Sequence, residues 1–157
     1  MALWFAIGFS IGSLIIMFFL KFWAQKAMLL EYESKFDFEE TVKRLKKVVE
    51  EKDGWVLPFS EWYFSEAMKK HGKKFDSVDR LEVYYVCSPE LARQMINEKR
   101  DMSAFMPCGW GVYEKDGKVY LSTVNVSLMS LIFSGKVSQL MKKVASDEHE
   151  MLQKILK

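Results

Sequence analysis

The residues in this chain best suited to chemistry are soft donors crowded into "MSAFMPCGWG", where Met102, Met106 and Cys108 fall close together. Thioether and thiolate sulfur suit Cu(I) or a haem iron, so copper or haem is the cofactor such a site would bring. Cys87, the other of the two cysteines, is a further contributor to such a set. A cysteine does thiol or redox chemistry when a helix N-terminus or nearby cations lower its pKa. The competing reading is plain packing. The chain has ten methionines, several in helical or apolar stretches, and Met is a flexible core filler. Free cysteine, too, is more often a buried small apolar residue than a reactive one. Packing is the preferred reading, and no cofactor is predicted from it.

The same stretch opens a β-hairpin, with Asp116-Gly117 as a two-residue turn between Lys115 and Lys118. That geometry pairs Tyr113 with Tyr120 and Trp110 with Thr123. Side chains alternate along a strand, so Cys108, Trp110 and Val112 share one face and Gly109 and Gly111 leave the other bare. Bare strand positions mark the close approach of a helix, another backbone or a ligand, and a packed helix is the expected cause here. A small-molecule site over Gly109 and Gly111 is the alternative. Cys87 ends one predicted strand and Cys108 begins the next, after a helix-containing connection. A parallel crossover would place them at opposite ends of the sheet, roughly 20 Å apart, too far for a disulfide. An antiparallel arrangement would bring them together.

Other clusters carry less. Lys69, Lys70, Lys73 and Lys74 in "KKHGKK" sit at a predicted helix end, where cations complement the helix dipole. If that face met a bilayer, they would be candidates for anionic headgroups. His71 and His149 stand alone. There is no Ser/His/Asp arrangement, Gly-rich phosphate loop or paired metal-ligand motif. A net charge of +2 over 157 residues gives no concentrated basic face, and nucleic acid is not an expected partner. Catalysis is not expected.

Several elements can be placed around these residues. Asp37 with Glu40 makes a capping-box-like start, and Val42, Leu45, Val48 and Val49 follow at helical spacing until Gly54. "WVLPF" (55–59) reads as a short edge strand, and Ser60 to His71 as an amphipathic helix. "RLEVYYVC" (80–87) is a strand, and Ser88-Pro89-Glu90 starts a helix. Two more helices, broken at Gly135, close the chain. With a first strand near residues 28–36, the fold class is α+β: a small mixed sheet of about five strands packed by helices.

The first twenty residues, "MALWFAIGFSIGSLIIMFFL", carry no charged side chain. At ~1.5 Å per helical residue they cross ~30 Å of hydrocarbon, and Trp4 and Trp23 fall at the two interfaces. No basic residue precedes the apolar run, and no small-x-small site follows it, so a retained anchor is expected over a cleaved signal peptide. Residues 1–27 are therefore read as a single transmembrane anchor and 28–157 as the globular domain. Lys21 and Lys26 after the span place that domain in the cytoplasm, with the outer side of the membrane as the alternative. On a helical wheel Gly8 and Gly12 share one face, and Ala2, Ala6, Ser10 and Ser13 another. Small faces let helices pack closely in lipid, which suggests neighbouring membrane subunits.

The order of the later segments resembles the domain of unknown function 302 family of bacteria and archaea. The resemblance rests on "FDFEETVKRLKKVVEEKDGWVL", "YYVCSPELARQMI" and "FMPCGWGVYEKDGKVYLSTVN" and spans roughly residues 32–157. The family's acidic-Thr helix start falls on Glu40-Thr41. Its Cys/Asn-x-Pro turn falls on Cys87-Ser88-Pro89, and its Leu-Pro-Cys entry on Met106-Pro107-Cys108. Many relatives carry a basic residue after that cysteine, where this chain has Gly109. The resemblance implies a compact α+β fold, often dimeric, with no established catalytic activity, and it singles out Cys108 for testing.

The expected function is an accessory or interaction subunit of a membrane protein complex, of respiratory or electron-transfer type among the options. It would be held to the bilayer by its anchor and would meet other subunits or a second copy of itself. The alternatives are a thiol, haem or copper site at Cys108 and a small-molecule-binding module.

Overall fold

The computed structural model describes residues 17–18, 21–24 and 26–156. The two small-residue faces expected at Gly8 and Gly12, and at Ala2, Ala6, Ser10 and Ser13, lie outside these. Among the described residues no helix is long and apolar enough to cross a membrane.

Strand β1 (Leu29–Glu33) is followed by helix α1 (Phe38–Glu51), then α2 (Phe64–Lys70) and β2 (Arg80–Val86). Helix α3 (Pro89–Glu98) and a 3-10 turn over Arg100–Phe105 lead to the hairpin of β3 (Cys108–Lys115) and β4 (Lys118–Val124). The short α4 (Val126–Met129) and the long α5 (Gly135–Leu156) complete the chain.

Local chemistry explains most of these boundaries. The Glu40 amide donates to Asp37 Oδ1 at 2.8 Å, so the predicted cap starts α1. The apolar stripe behind it buries Val42, Leu45, Val48 and Val49, and Gly54 at φ +73° turns the chain out. Asp116 and Gly117 take φ 51° and 73°, as a two-residue hairpin turn requires.

The sheet differs from the expectation in two ways. It has four strands in the order β1-β4-β3-β2, and every pairing is antiparallel. The expected strand at 55–59 reduces to a single bridge, Val56 with Cys87, and Trp62, expected in the following helix, makes another with Val83. Pro58 has no N–H to extend a ladder, and Trp55 turns into the core, where it is 5% exposed. The segment between runs as an irregular strap, and the helix expected from Ser60 begins only at Phe64.

The parallel crossover is replaced by a reversal. After α3 the chain turns through the 3-10 segment and Pro107, and β3 runs back against β2 with Val86 opposite Cys108 and Arg80 opposite Glu114. The start of β1, the end of β2, the start of β3 and the end of β4 therefore share one end of the sheet. The hairpin turn marks the other.

Helices α1 and α5 cover one sheet face. Their Leu45, Val49, Met151 and Ile155 meet Tyr84, Trp110, Val112 and Leu121 from the strands. A second cluster, rich in methionine, gathers Met95, Met102, Met129 and Met141 with Val126, Val137 and Leu140 from α3, the 3-10 turn, α4 and α5. One residue ties the entering chain to this second cluster. The Asn125 amide donates to the Met28 carbonyl at 2.8 Å, and its side chain Nδ2 donates to the Ala27 carbonyl at 2.8 Å. Its Oδ1 accepts from the Leu128 amide at 3.1 Å, which caps α4.

Candidate functional site

A cavity of about 270 Å³ lies between the two apolar clusters, at the end of the sheet where β2 stops and β3 starts. Cys87, Met102, Met106, Cys108 and Gly109 all line it. The expected separation of the two cysteines is thus reversed. Antiparallel pairing sets both at the same end, where both line the cavity, and both are free thiols. Gly111 lies further along β3 and does not line the cavity. Lys69 and Lys70 end α2, with Lys73 and Lys74 just beyond. Helix α2 packs beside the start of β2, where the Leu81 amide donates to Ser65 Oγ at 2.7 Å. The basic cluster thus belongs to the half of the domain away from the cavity.

The cavity wall is nearly all apolar: Trp55, Val86, Leu91, Met95, Met129 and Met141 join the residues above. Two buried hydroxyls, Ser88 and Thr123, interrupt it. Ser88 stands at the N-cap of α3, yet its side chain makes no capping bond. Apolar walls with a few fixed polar groups are what small-ligand sites offer, and their volumes start at roughly 300 Å³.

Cys108 points into the helix-covered face beside Glu148 of α5. Burial pushes its thiol pKa up, and the Glu148 carboxyl, to which the thiol donates, pushes it further, with a smaller effect from Cys87. Burial also raises the Cys87 thiol. Both stay protonated at neutral pH, the reverse of an activated nucleophile.

Glu148 is itself unusual. It is 3% exposed, accepts from Trp110 Nε1 at 3.3 Å and from the Cys108 thiol, and is pushed up to about 7 by burial. Its neighbour Asp147 is 4% exposed and accepts from Trp55 Nε1 at 3.3 Å. Burial works against the Asp147 carboxylate too, but hydrogen bonds from Lys143, Lys52 and Trp55 outweigh it and lower its pKa. These two acids escaped sequence reading although a signal existed. Val144, Glu148, Met151, Leu152 and Ile155 follow one another at helical spacing, which sets Glu148 on the apolar stripe of α5.

The glycines serve a different purpose from the one expected. Trp110 and Val112 face the helices, so Gly109 and Gly111 face the opposite side, and among the described residues no helix atom comes within 4 Å of a Cβ built on either. A Cβ on Gly109 would touch only Val83 Cγ1, at 3.9 Å. One on Gly111 would fall 2.9 Å from Ser122 Oγ, its partner across the strands.

Comparison with known proteins agrees with this architecture. The crystal structure of an uncharacterized conserved protein DUF302 from Bacillus stearothermophilus superposes with a TM-score of 0.72 at 16% identity. The match covers 83% of this chain and 98% of that one, and at such identity it speaks for the fold alone. No protein of curated function matches. The model of the family described as "Domain of unknown function DUF302" matches residues 30–157, so the chain belongs to that family.

Proposed function

We propose that this protein is a membrane-anchored, non-catalytic binding module, which takes a small apolar molecule with one polar group into the cavity beside Cys108. The observation that carries the reading is the cavity itself, with apolar walls broken by Ser88, Thr123 and the Cys108 thiol. Protonated thiols suit a donor or packing role better than thiol chemistry. The uncharged segment Met1–Leu20 supports the anchor, and Lys21 and Lys26 behind it favour a cytoplasmic domain. Such a module would serve as an accessory subunit, presenting or sensing its ligand for neighbouring membrane proteins.

Ala92→Phe tests the cavity, because Ala92 lines it from α3. A neutral fluorescent probe such as N-phenyl-1-naphthylamine should bind the native protein and lose at least tenfold in affinity in the variant, with the thermal midpoint kept. Equal binding by both proteins would remove the reading. The subunit role is tested separately in mild detergent, where a full-length protein from native membranes that migrates alone would contradict it.

One observation favours a second reading: Cys87, Met102, Met106 and Cys108 all line a single space. A Cu(I) ion there would have to displace the proton that the Cys108 thiol shares with Glu148. Anaerobic titration with Cu(I) against a competing chelator decides it, since stoichiometric uptake lost in Cys108→Ala is required.

A further inference from the structure

The strand directions place the cavity and the entering chain at the same end of the molecule. β1 begins there, at Leu29, and Leu29 pairs with Val124, the last residue of β4. The residues around this end are exposed and apolar. Leu29 is 64% exposed, Val124 38% and Phe105 50%, while Leu131 and Ile132 in the turn after α4 reach 72% and 71%. Phe105 and Phe133 meet edge to face at 6.5 Å, which joins the 3-10 turn to the Leu131-Ile132 turn. Two of these exposed residues, Phe105 and Val124, also line the cavity and mark its mouth.

The chain outside the described residues says what covers this surface. Only Lys21 to Met28 separate Leu29 from the uncharged run Met1–Leu20. Trp23, within that short link, is 60% exposed, and the Met28 amide donates to the Ala24 carbonyl at 3.0 Å. So short a connection holds whichever end it enters against the lipid. Exposed Lys136, in the first turn of α5, and Lys21 and Lys26 in the link supply cations at the same end, as a headgroup layer favours. The Lys69–Lys74 cluster belongs to the other half of the domain and takes no part.

We propose that this end rests on the bilayer, with Phe105 and the Leu131-Ile132 turn seated in its interface, so that the cavity takes its ligand from the membrane and not from water. The inference rests on the reading of the cavity as a binding site and of Met1–Leu20 as the anchor. It narrows the ligand to amphiphiles that dissolve in lipid: an apolar body that fills the methionine-lined space and one hydroxyl or carbonyl that meets Ser88 or Thr123.

The test uses the full chain in phosphatidylcholine vesicles. Benzoylphenylalanine at position 132 should yield lipid adducts on illumination, and the same group at position 115, beside the hairpin turn, should not. Absence of lipid adducts at 132, or equal yields at both positions, would overturn the proposal whatever the cavity binds. The second arm compares uptake of N-phenyl-1-naphthylamine from loaded vesicles with its binding in detergent solution. The double variant Leu131→Asp and Ile132→Asp should slow vesicle uptake at least fivefold and leave solution binding as it was. Unchanged uptake would refute the membrane route and spare the binding reading. A native protein that binds no probe in solution, yet gives adducts at 132, would remove the cavity reading and with it the membrane route, leaving only the docking.

Discussion

Glu148 and Asp147 are chain neighbours with the same charge and nearly the same burial, yet their acidities move in opposite directions. Lys52 at 3.2 Å and Lys143 at 2.6 Å face Asp147, whereas Glu148 accepts only from an indole and a thiol. Around Glu148 the other groups that can titrate are Cys108 and, along a smaller neighbouring cleft, Tyr32 and His149. The consequence for stability follows from linkage. Below pH ~4.5 Glu148 is protonated whether the chain is folded or not, and it contributes no pH dependence. As pH rises toward 7 the unfolded chain releases this proton before the folded one does, so stability falls. A raised carboxyl of this kind costs ~3 kcal/mol by pH 8, an order-of-magnitude figure from ~1.4 kcal/mol per pH unit. Glu148→Gln should remove that decline, so that urea midpoints of variant and native protein converge at pH 4 and separate in the variant's favour at pH 8. A native slope retained in the variant would assign the titration to another group. At the same scale, Cys108 should react with a disulfide reagent much more slowly than a free thiol at pH 8, because its thiolate is scarce.

Among the elements, β3 shows what a strand demands of its glycines. Gly111→Ala brings a methyl group to 2.9 Å from Ser122 Oγ and should cost about 1 kcal/mol, while Gly109→Ala meets only an ordinary contact and should be nearly neutral. Ser122→Gly combined with Gly111→Ala should recover much of the loss, which thermal melts of the four proteins would reveal. The elements that could be read from sequence are those whose causes are local. The Asp37 cap, the Val42-to-Val49 stripe, the Ser88-Pro89 helix start and the Asp116-Gly117 turn each lie within a few residues of the structure they dictate. What could not be read was direction. Whether β3 runs with or against β2 depends on partners far along the chain, and the α3 connection looks alike in both cases. For the same reason the sequence shows Cys87, Met102, Met106 and Cys108 as soft donors but does not say whether the two cysteines share one end of the sheet. The strap at 55–63 failed for a related reason, since Trp55 is drawn inward by Asp147, a partner that sequence spacing cannot reveal.

For the whole molecule, the domain and its N-terminal segment are separable in sequence and joined at one end in space. The family match begins at residue 30, and every buried residue of the two apolar clusters lies beyond it, with Met28 packed against the second. Removing residues 1–20 should therefore leave a folded domain with a thermal midpoint within a few degrees of the full chain and unchanged probe affinity in solution. Loss of cooperative melting in that truncation would show that the segment supports the fold.

Asn125 gives that junction a mechanical meaning. It grips the carbonyls of Ala27 and Met28 with one hand and caps α4 with the other, and α4 contributes Val126 and Met129 to the cavity. Were the preceding segment held in a bilayer, as proposed, a pull on it would load the Asn125 bonds before the β1–β4 ladder, and the strain would arrive first at the cavity wall. Asn125→Ala would remove the Ala27 and Leu128 bonds at a cost of about 1 kcal/mol and leave only the backbone bond to Met28, turning a stressed coupling into a slacker one.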